Sequence, residues 1–235
     1  MSLIEIIDIN QNERGIKVKI YFIRHGKTEW NLESRYQGAG GDSELLPESY
    51  QQMNQLGEHL KDIEFSHAYS SPIKRARITA NRVLQHSKKR PPLSLWNRLE
   101  EFHLGKMEGQ KFEDVKKQFP ESYDNFRNHP EKYDATEIGG ESFSDVIDRM
   151  QYAINTIVNA NREDSNVVIF SHGAALNALI NSLLGVEIKD LRKRGGLANT
   201  STTILETNDN GKTFDLIKWN DTEYLTKEID QTDVI

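Results

Sequence analysis

The sequence of 235 residues contains no cysteine. Disulfide bonds, thiolate catalysis and cysteine-ligated zinc sites are therefore excluded, while the absence of cysteine is neutral about the compartment. Long apolar runs are missing too, and Met1 to Asn12 has neither the basic start nor the apolar stretch of a signal peptide. These absences predict a soluble, cytoplasmic protein with no membrane partner.

Positive charge is also in short supply. Lys and Arg number 30 against 36 Asp and Glu, which gives a formal net charge of -6. An acidic chain argues against broad neutralisation of nucleic-acid phosphates, although a small basic pocket can lie within an acidic whole. We therefore expect a small-molecule partner and no nucleic acid.

The chain further lacks internal repeats, a break in composition and a linker rich in Pro, Gly or Ser. Its length suits one α/β domain with a buried core of useful size. A single domain over residues 1–235 is predicted. The sequence has no leftover apolar face that can be assigned to a subunit interface, so it predicts no particular oligomeric state.

Two apolar runs end in a His-Gly pair. The first, Ile20 to Ile23, continues into Arg24-His25-Gly26, and the second, Val167 to Phe170, continues into Ser171-His172-Gly173. Such runs are typical of strands buried on both faces of a mostly parallel sheet, in which ligands bind beyond the carboxyl ends of the strands. Both histidines are therefore expected at one edge of the sheet.

The spacing of apolar residues predicts the other elements in a strand-helix alternation. Strands are expected at Lys17 to Ile23, Phe65 to Ser70 and Leu93 to Trp96, with a hairpin of Ser201 to Glu206 and Phe214 to Trp219 and a candidate edge strand at Leu3 to Ile9. Helices are expected from Pro47, from Ser71-Pro72 to about His86 with Ser71 as the N-cap, from Ser142 with Asp145 as a capping box, and from Ala174 to Leu184.

Two segments depart from this alternation. A helical stripe from Phe112 to Tyr133, split by Pro120, predicts a small cap over the sheet edge, within an insert of about residues 106–139. The apolar residues of this stripe either pack against the body of the domain, which is the favoured interpretation, or form a lid. The polar segment Asp221 to Ile235 is expected to be a loosely held tail.

Five residues then share the sheet edge and suit phosphoryl transfer: Arg24, His25, Arg75, Glu101 and His172. A neutral imidazole can attack phosphorus, the two arginines can each hold two phosphoryl oxygens, and a protonated His172 can stabilise the transition state. Glu101 can donate a proton to the leaving oxygen and then activate water. Gly26 and Gly173 let the backbone approach a phosphate closely.

Each of these residues also has an ordinary structural interpretation, and a metal site would be a competing use of His and Glu. No His-Glu-x-x-His helix or carboxylate cluster is present, so no metal is expected. The remaining histidines are interpreted as packed or solvated, namely His59, His67, His86, His103 and His129.

Taken together, the motifs resemble the histidine phosphatase superfamily, which includes the phosphoglycerate mutases. The resemblance covers most of the chain, from about Lys19 to Leu205. It is carried by Arg24-His25-Gly26-Lys27-Thr28 with Asn31, Ser70-Ser71 with Arg75-Ala76 and Thr79-Ala80, Leu99-Glu100-Glu101 with Gly105 and Glu108-Gly109, Gly140-Glu141-Ser142, and Ser171-His172-Gly173.

The resemblance implies a three-layer α/β/α sandwich, a small phosphorylated substrate, and neither metal nor cofactor. It further implies His25 as the phosphorylated nucleophile, Glu101 as the proton donor, and Arg24, Arg75 and His172 as the phosphate pocket. The substrate-binding residues expected beside them are Asn31, Thr28, Gln37, Gly38 and Gly173.

Three functions remain open, with a phosphatase favoured. Arg35-Tyr36-Gln37-Gly38 is similar to phosphatase members, and the insert has only Arg127 where glycolytic mutases carry an arginine pair. The alternatives are a phosphoglycerate-type mutase and an idle member that binds phosphorylated ligands or partners. The basic run Arg192-Lys193-Arg194 either guides an anionic substrate or is a solvated loop, and the loop is the favoured interpretation.

Overall fold

The computed structural model describes residues 17–161 and 164–234, so the candidate strand at Leu3 to Ile9 lies outside the described residues. The strands are β1 (Val18–Arg24), β2 (Phe65–Ser70), β3 (Leu93–Leu95), β4 (Ser165–Ser171), β5 (Thr202–Thr207) and β6 (Asp215–Asp221). The helices are α1 (Glu29–Leu32), α2 (Pro47–Leu60), α3 (Lys74–Leu84), α4 (Phe112–Gln118), α5 (Pro120–Asn128), α6 (Phe143–Ala160) and α7 (Gly173–Leu183). Short 3-10 helices cover Asn97–Leu99, Gly105–Met107, Pro130–Lys132 and Ile188–Asp190.

The strands form one sheet in the order β3-β2-β4-β1-β5-β6. β1, β2, β3 and β4 pair in parallel, and the hairpin of β5 and β6 adds antiparallel strands beside β1. β1 and β4 are central and adjacent, with Arg24 opposite Ser171 in the register. The mostly parallel sheet is therefore confirmed, and its two central strands end side by side.

Helices cover both faces of the sheet. Alternate residues of β1 point to opposite sides: Phe22 joins the core beneath α6 and α7, whereas Ile23 joins the core beneath α2 and α3. Because both sides are buried, the central strands are apolar throughout rather than alternating. The predicted three-layer α/β/α sandwich is confirmed.

The insert is helical, as predicted, and it breaks where proline requires. Phe119 leaves the helical region of backbone angles and Pro120 begins α5, since proline cannot continue the preceding hydrogen-bond ladder. Val115 and Phe126 of the insert are buried in the same core as Phe102 and Phe143. The insert is thus packed directly onto the body of the sandwich.

The start of α3 differs from the prediction. The helix begins at Lys74 with Ile73 in the N-cap position, and Ser71 still belongs to the end of the sheet, because its N–H donates to the carbonyl of Phe170 at 2.9 Å. The hydroxyl of Ser71 accepts the N–H of Ile73 but also bonds the ring of His172. The assignment of Ser71 as helix cap was therefore wrong.

The C-terminal segment, residues 222–234, is held in place, so the prediction of a loosely held tail was also wrong. The hydroxyl of Tyr224 donates to the carbonyl of Thr200 at 2.6 Å, and Val234 forms a β-bridge with Ala198. The side chain of Asp233 is 1% exposed and pairs with the equally buried ammonium of Lys27. The segment is polar because its acids and carbonyls bind buried cations.

Within residues 17–161 and 164–234, none of the helices combines the length and the apolar character that crossing a membrane would require.

Candidate active site

His25 follows the last residue of β1 and is almost fully buried. Its Nδ1 lies 2.7 Å from the carbonyl oxygen of Gly26. Because a carbonyl only accepts, Nδ1 carries the proton and Nε2 keeps its lone pair. Burial, Arg75 and Arg24 hold the pKa of His25 well below its usual range. His25 is therefore a neutral imidazole with a nucleophilic nitrogen.

Arg24, which precedes His25 at the end of β1, has two buried donor nitrogens without a partner. Its Nη1 donates to the carbonyls of Leu197 and Asp233 at 2.6 and 2.7 Å, while Nε and Nη2 are buried and have no partner. Burial lowers the pKa of Arg24 to about 10, so it stays charged at neutral pH. Buried charged donors without partners are costly unless an anion binds them. Gly173 leaves room for this guanidinium, because a Cβ there would lie 2.9 Å from Nε.

Arg75 lies in the first turn of α3 and contacts His25 directly. Its Nε donates to Nε2 of His25 at 3.3 Å. Its Nη1 donates to the carbonyl of Gly41 at 2.8 Å, and its Nη2 donates to that of Gly38 at 3.0 Å. The loop holding Arg75 needs glycine at position 38, since a Cβ would lie 2.3 Å from the carbonyl oxygen of Phe102.

His172 ends β4 and occupies the N-cap position of α7. Its Nε2 lies 2.8 Å from the hydroxyl of Ser71, and its buried Nδ1 has no partner. Burial, Arg75 and His25 hold the pKa of His172 well below its usual range. His172 is therefore neutral in the free protein, and its protonation in the transition state stays a prediction. A phosphate dianion would favour its protonation.

Glu101 reaches the same place from the loop after β3. Its Oε1 accepts the N–H of Ala175 at 2.7 Å, and its Oε2 accepts that of Ala174 at 3.0 Å. These N–H groups belong to the first turn of α7, where a helix favours an acidic side chain. The structure thus brings Arg24, His25, Arg75, Glu101 and His172 together at one edge, as the sequence predicted.

The predicted substrate-binding residues around Thr28 mainly contact one another. The hydroxyl of Thr28 lies 2.7 Å from Oε1 of Gln37, and Oδ1 of Asn31 accepts the backbone N–H of Thr28. Thr28 and Asn31 form the capping box of α1. Thr28 and Asn31 are buried.

Two positioning contacts escaped the sequence reasoning. Arg149 of α6 donates to the carbonyls of Glu100 and Glu101 and pairs with Glu141, which fixes the loop carrying the acid. Lys27 is 1% exposed, and its ammonium lies 2.8 Å from the carboxylate of Asp233. The available signal for Lys27 was its place directly after His25-Gly26.

A cavity of about 170 Å³ opens beside Glu101. Its walls carry four aromatic rings and three guanidinium groups, supplied by Tyr36, Phe102, Phe112 and Phe126 and by Arg35, Arg127 and Arg192. The guanidinium of Arg192 lies 5.2 Å from the ring centroid of Phe126. The solvated-loop interpretation was therefore wrong for Arg192, whereas Lys193 is exposed.

In the described part of the chain, no group of three or more His, Asp or Glu side chains is placed to hold a metal ion. The charged donors that the site offers an anion are the guanidiniums of Arg24 and Arg75.

Residues 20–222 match the family model described as the histidine phosphatase superfamily, branch 1. Among curated proteins, the chain is 32% identical over 208 residues to phosphoglycerate mutase-like protein 4 of Arabidopsis thaliana, covering 88% of this chain and 86% of that protein.

Solved structures are similar to this chain in fold as well as in sequence. YhfR of Bacillus stearothermophilus superposes with a TM-score of 0.81 at 32% identity, covering 88% of this chain and 98% of that one. A mycobacterial glucosyl-3-phosphoglycerate phosphatase superposes with a TM-score of 0.76 at 27% identity, covering 88% of this chain and 100% of that one. The relatives are thus named both as mutases and as phosphatases.

Proposed function

This chain belongs to the histidine phosphatase superfamily, and on that premise we propose that it is a metal-independent phosphomonoesterase acting through a phosphohistidine on a small phosphorylated molecule. One observation carries the proposal. The lone pair on Nε2 of His25 accepts one contact, from Nε of Arg75 at 3.3 Å, and the same site holds buried nitrogens without a partner, namely Nε and Nη2 of Arg24 and Nδ1 of His172. A phosphoryl group would supply the missing acceptors.

In the first step, Nε2 of His25 attacks phosphorus while the bond to the leaving oxygen breaks. Arg24 and Arg75 stabilise the phosphoryl oxygens, and His172 donates from Nδ1 once the dianion has favoured its protonation. As the general acid of this step, Glu101 gives a proton to the leaving oxygen, so an alcohol departs and a carboxylate remains.

In the second step, the Glu101 carboxylate takes a proton from water as the water oxygen attacks the phosphohistidine. The bond between phosphorus and Nε2 breaks, which restores the neutral imidazole and releases inorganic phosphate. Glu101 is left protonated, ready for the next substrate. The same carboxyl group serves both steps because it lies where the alcohol leaves and where water enters.

A mutase of the phosphoglycerate type is the second candidate, because Arg35, Arg127 and Arg192 place positive charge around the cavity. A mutase must bind a second phosphoryl group and shield the phosphohistidine from water. We favour the phosphatase because the insert carries Arg127 alone where glycolytic mutases carry an arginine pair.

The test is phosphate release from a panel of monoesters in the presence of EDTA, comparing the wild-type chain with His25→Ala and Glu101→Gln. We expect His25→Ala to lose at least about 1,000-fold in kcat/KM, because the nucleophile is gone. The exposed His129→Ala serves as the control. Equal rates for wild type and His25→Ala would rule out the phosphohistidine.

The same preparation separates the alternatives. Isomerisation of 3-phosphoglycerate with added 2,3-bisphosphoglycerate, if faster than phosphate release, would establish the mutase. Phosphate binding without turnover of any monoester would establish an idle binder.

A further inference from the structure

Arg192 brings a charge into the cavity that the proposed chemistry does not use. Its Nη2 donates to the carbonyl of Phe126 at 3.0 Å, which fixes the guanidinium under the insert. The rings of Phe126 and Phe143 lie 5.2 and 5.4 Å from its central carbon. Its Nε is buried and has no hydrogen-bond partner. A charged donor therefore lies beside the cavity without an acceptor.

Arg35 pairs with Glu33, but the charges of Arg127 and Arg192 around the cavity remain unbalanced. Glu101 is the one acid among the lining residues, and both of its oxygens already accept backbone N–H groups of α7. Burial lowers the pKa of Arg192 to about 10, Glu101 opposes this change, and the nearby Arg127 adds to it. Cations that raise each other's energy in a dry site are stabilised by an anion placed between them. The cavity thus favours a leaving group with a negative charge of its own.

The walls favour a flat apolar body as well. Tyr36 and Phe112 meet edge to face with centroids 4.7 Å apart, and Phe102 and Phe126 do so at 5.3 Å. These contacts hold the rings of the cavity wall against one another. Rings packed in this way expose faces and edges against which a ring of the substrate can pack favourably.

The position of the cavity connects it with the reaction. Its lining includes Glu101, Gln37 and Ala174, which also belong to the phosphate pocket or hold its acid. Since Glu101 protonates the leaving oxygen, the alcohol portion of the substrate must lie on this side of the phosphorus. The cavity is therefore the leaving-group site.

Resting on the proposed phosphomonoesterase function, we propose that the preferred substrate is a phosphomonoester whose alcohol carries a ring and a carboxylate. The ring lies against the aromatic walls, and the carboxylate binds the guanidinium of Arg192. Arg192 is thus the residue that selects anionic leaving groups.

Four probes separate the two features: phenyl phosphate, 4-carboxyphenyl phosphate, glycerol 3-phosphate and 3-phosphoglycerate. They combine a ring, or its absence, with a carboxylate, or its absence. We expect the wild-type chain to show its highest kcat/KM with 4-carboxyphenyl phosphate. The matched variants are Arg192→Gln, which removes the charge, Arg192→Lys, which keeps it, and the neighbouring exposed Lys193→Gln as control.

The decisive quantity is the ratio of kcat/KM for 4-carboxyphenyl phosphate to that for phenyl phosphate. Comparing this ratio between variants cancels the intrinsic reactivity of the two leaving groups. Arg192→Gln should lower it by about 10- to 100-fold, the value of one charge-assisted hydrogen bond. Arg192→Lys should lower it less, and Lys193→Gln should leave it unchanged. A ratio that Arg192→Gln does not alter would overturn the proposal.

A binding measurement on the wild-type chain keeps the test independent of mutant folding and of turnover. With inorganic phosphate present, calorimetry should show 4-hydroxybenzoate binding at least about 10-fold more tightly than phenol. Equal affinities would overturn the proposal even if monoesters are hydrolysed. Tight binding of 4-hydroxybenzoate with no hydrolysis of any monoester would instead contradict the proposed function and leave the leaving-group site standing.

Discussion

The proposed phosphate pocket and the proposed leaving-group cavity adjoin at Glu101 but are built in different ways. In the pocket, Arg24 is fixed by hydrogen bonds to the backbone carbonyls of Leu197 and Asp233, before β5 and in the C-terminal segment, and Arg75 is fixed by carbonyls of the loop after α1. In the cavity, aromatic side chains from separate segments hold one another by ring contacts, and Arg192 combines such contacts with one hydrogen bond to the carbonyl of Phe126. Hydrogen bonds to the backbone fix direction closely, whereas ring contacts tolerate changes of shape. The pocket therefore determines the reaction, and the cavity is where specificity can vary.

Among the tests of this comparison between pocket and cavity, the largest effect should follow from changing the shape of a pocket cation while keeping its charge. Arg24→Lys cannot hold two carbonyls and still present two N–H groups to a phosphate, so kcat/KM should fall about 100- to 1,000-fold. Steady-state kinetics with phenyl phosphate measures this. The exposed Arg77→Lys is the matched control and should stay within about two-fold. A tolerated Arg24→Lys would mean that charge alone, without geometry, defines the pocket.

The C-terminal segment contributes to the pocket through Asp233. Removing the negative charge of this residue should lower the free energy of unfolding. In Asp233→Asn, the buried ammonium of Lys27 keeps only Asp230, whose side chain is 50% exposed. The free energy of unfolding should fall by about 2–3 kcal/mol, less than for a fully unpaired buried charge. Urea denaturation measures the change, with Asp230→Asn as control at below about 1 kcal/mol. Equal losses in the two variants would show that burial of Asp233 has no energetic consequence.

The pocket histidines should also make stability depend on pH. The pKa values of His25 and His172 lie below the unfolded value of 6.5, so below pH 6.5 the unfolded chain takes up protons that the folded chain refuses. The contribution of the two neutral histidines to the free energy of unfolding is thus fully present above pH 6.5. As the pH falls below 6.5, each histidine lowers the free energy of unfolding by about 1.4 kcal/mol per pH unit. Urea denaturation between pH 7.5 and 5 measures this slope.

His25→Gln and His172→Gln should each remove one histidine's share of that slope, while the exposed His129→Gln leaves it intact. A slope that is the same in the wild-type chain and in both pocket variants would contradict neutral histidines in the folded pocket.

The sequence predicted the residues of the pocket better than the contacts that support them or the lining of the cavity. Arg24, His25 and His172 were found because an apolar run followed by a polar turn marks a strand end, and parallel strands bring such ends together. Asp233 was missed because its contact with Arg24 spans 209 residues and involves a backbone carbonyl, which no side-chain pattern reveals.

Arg192 and Ser71 illustrate two further limits. A basic run looks the same whether it is solvated or folded under an insert, and only packing on Phe126 and Phe143 distinguishes the two. A serine before a proline is typical of a helix cap, yet the hydroxyl of Ser71 also forms a hydrogen bond with the ring of His172, at the end of another strand. Local preference was overridden by a tertiary contact in both cases.

The smallest effect should come from the cavity wall and should depend on the substrate. Phe112→Leu removes a ring that packs on Tyr36 and lies under the guanidinium of Arg127, at 4.7 and 5.0 Å. Because a ring contact contributes about 0.5–1.5 kcal/mol, kcat/KM for phenyl phosphate should fall about 2- to 12-fold relative to that for glycerol 3-phosphate. Phe119→Leu, which alters a partly buried ring outside the cavity lining, is the matched control. An equal fall with both substrates would mean that Phe112 only supports the insert, and the cavity would then select its substrates by charge alone.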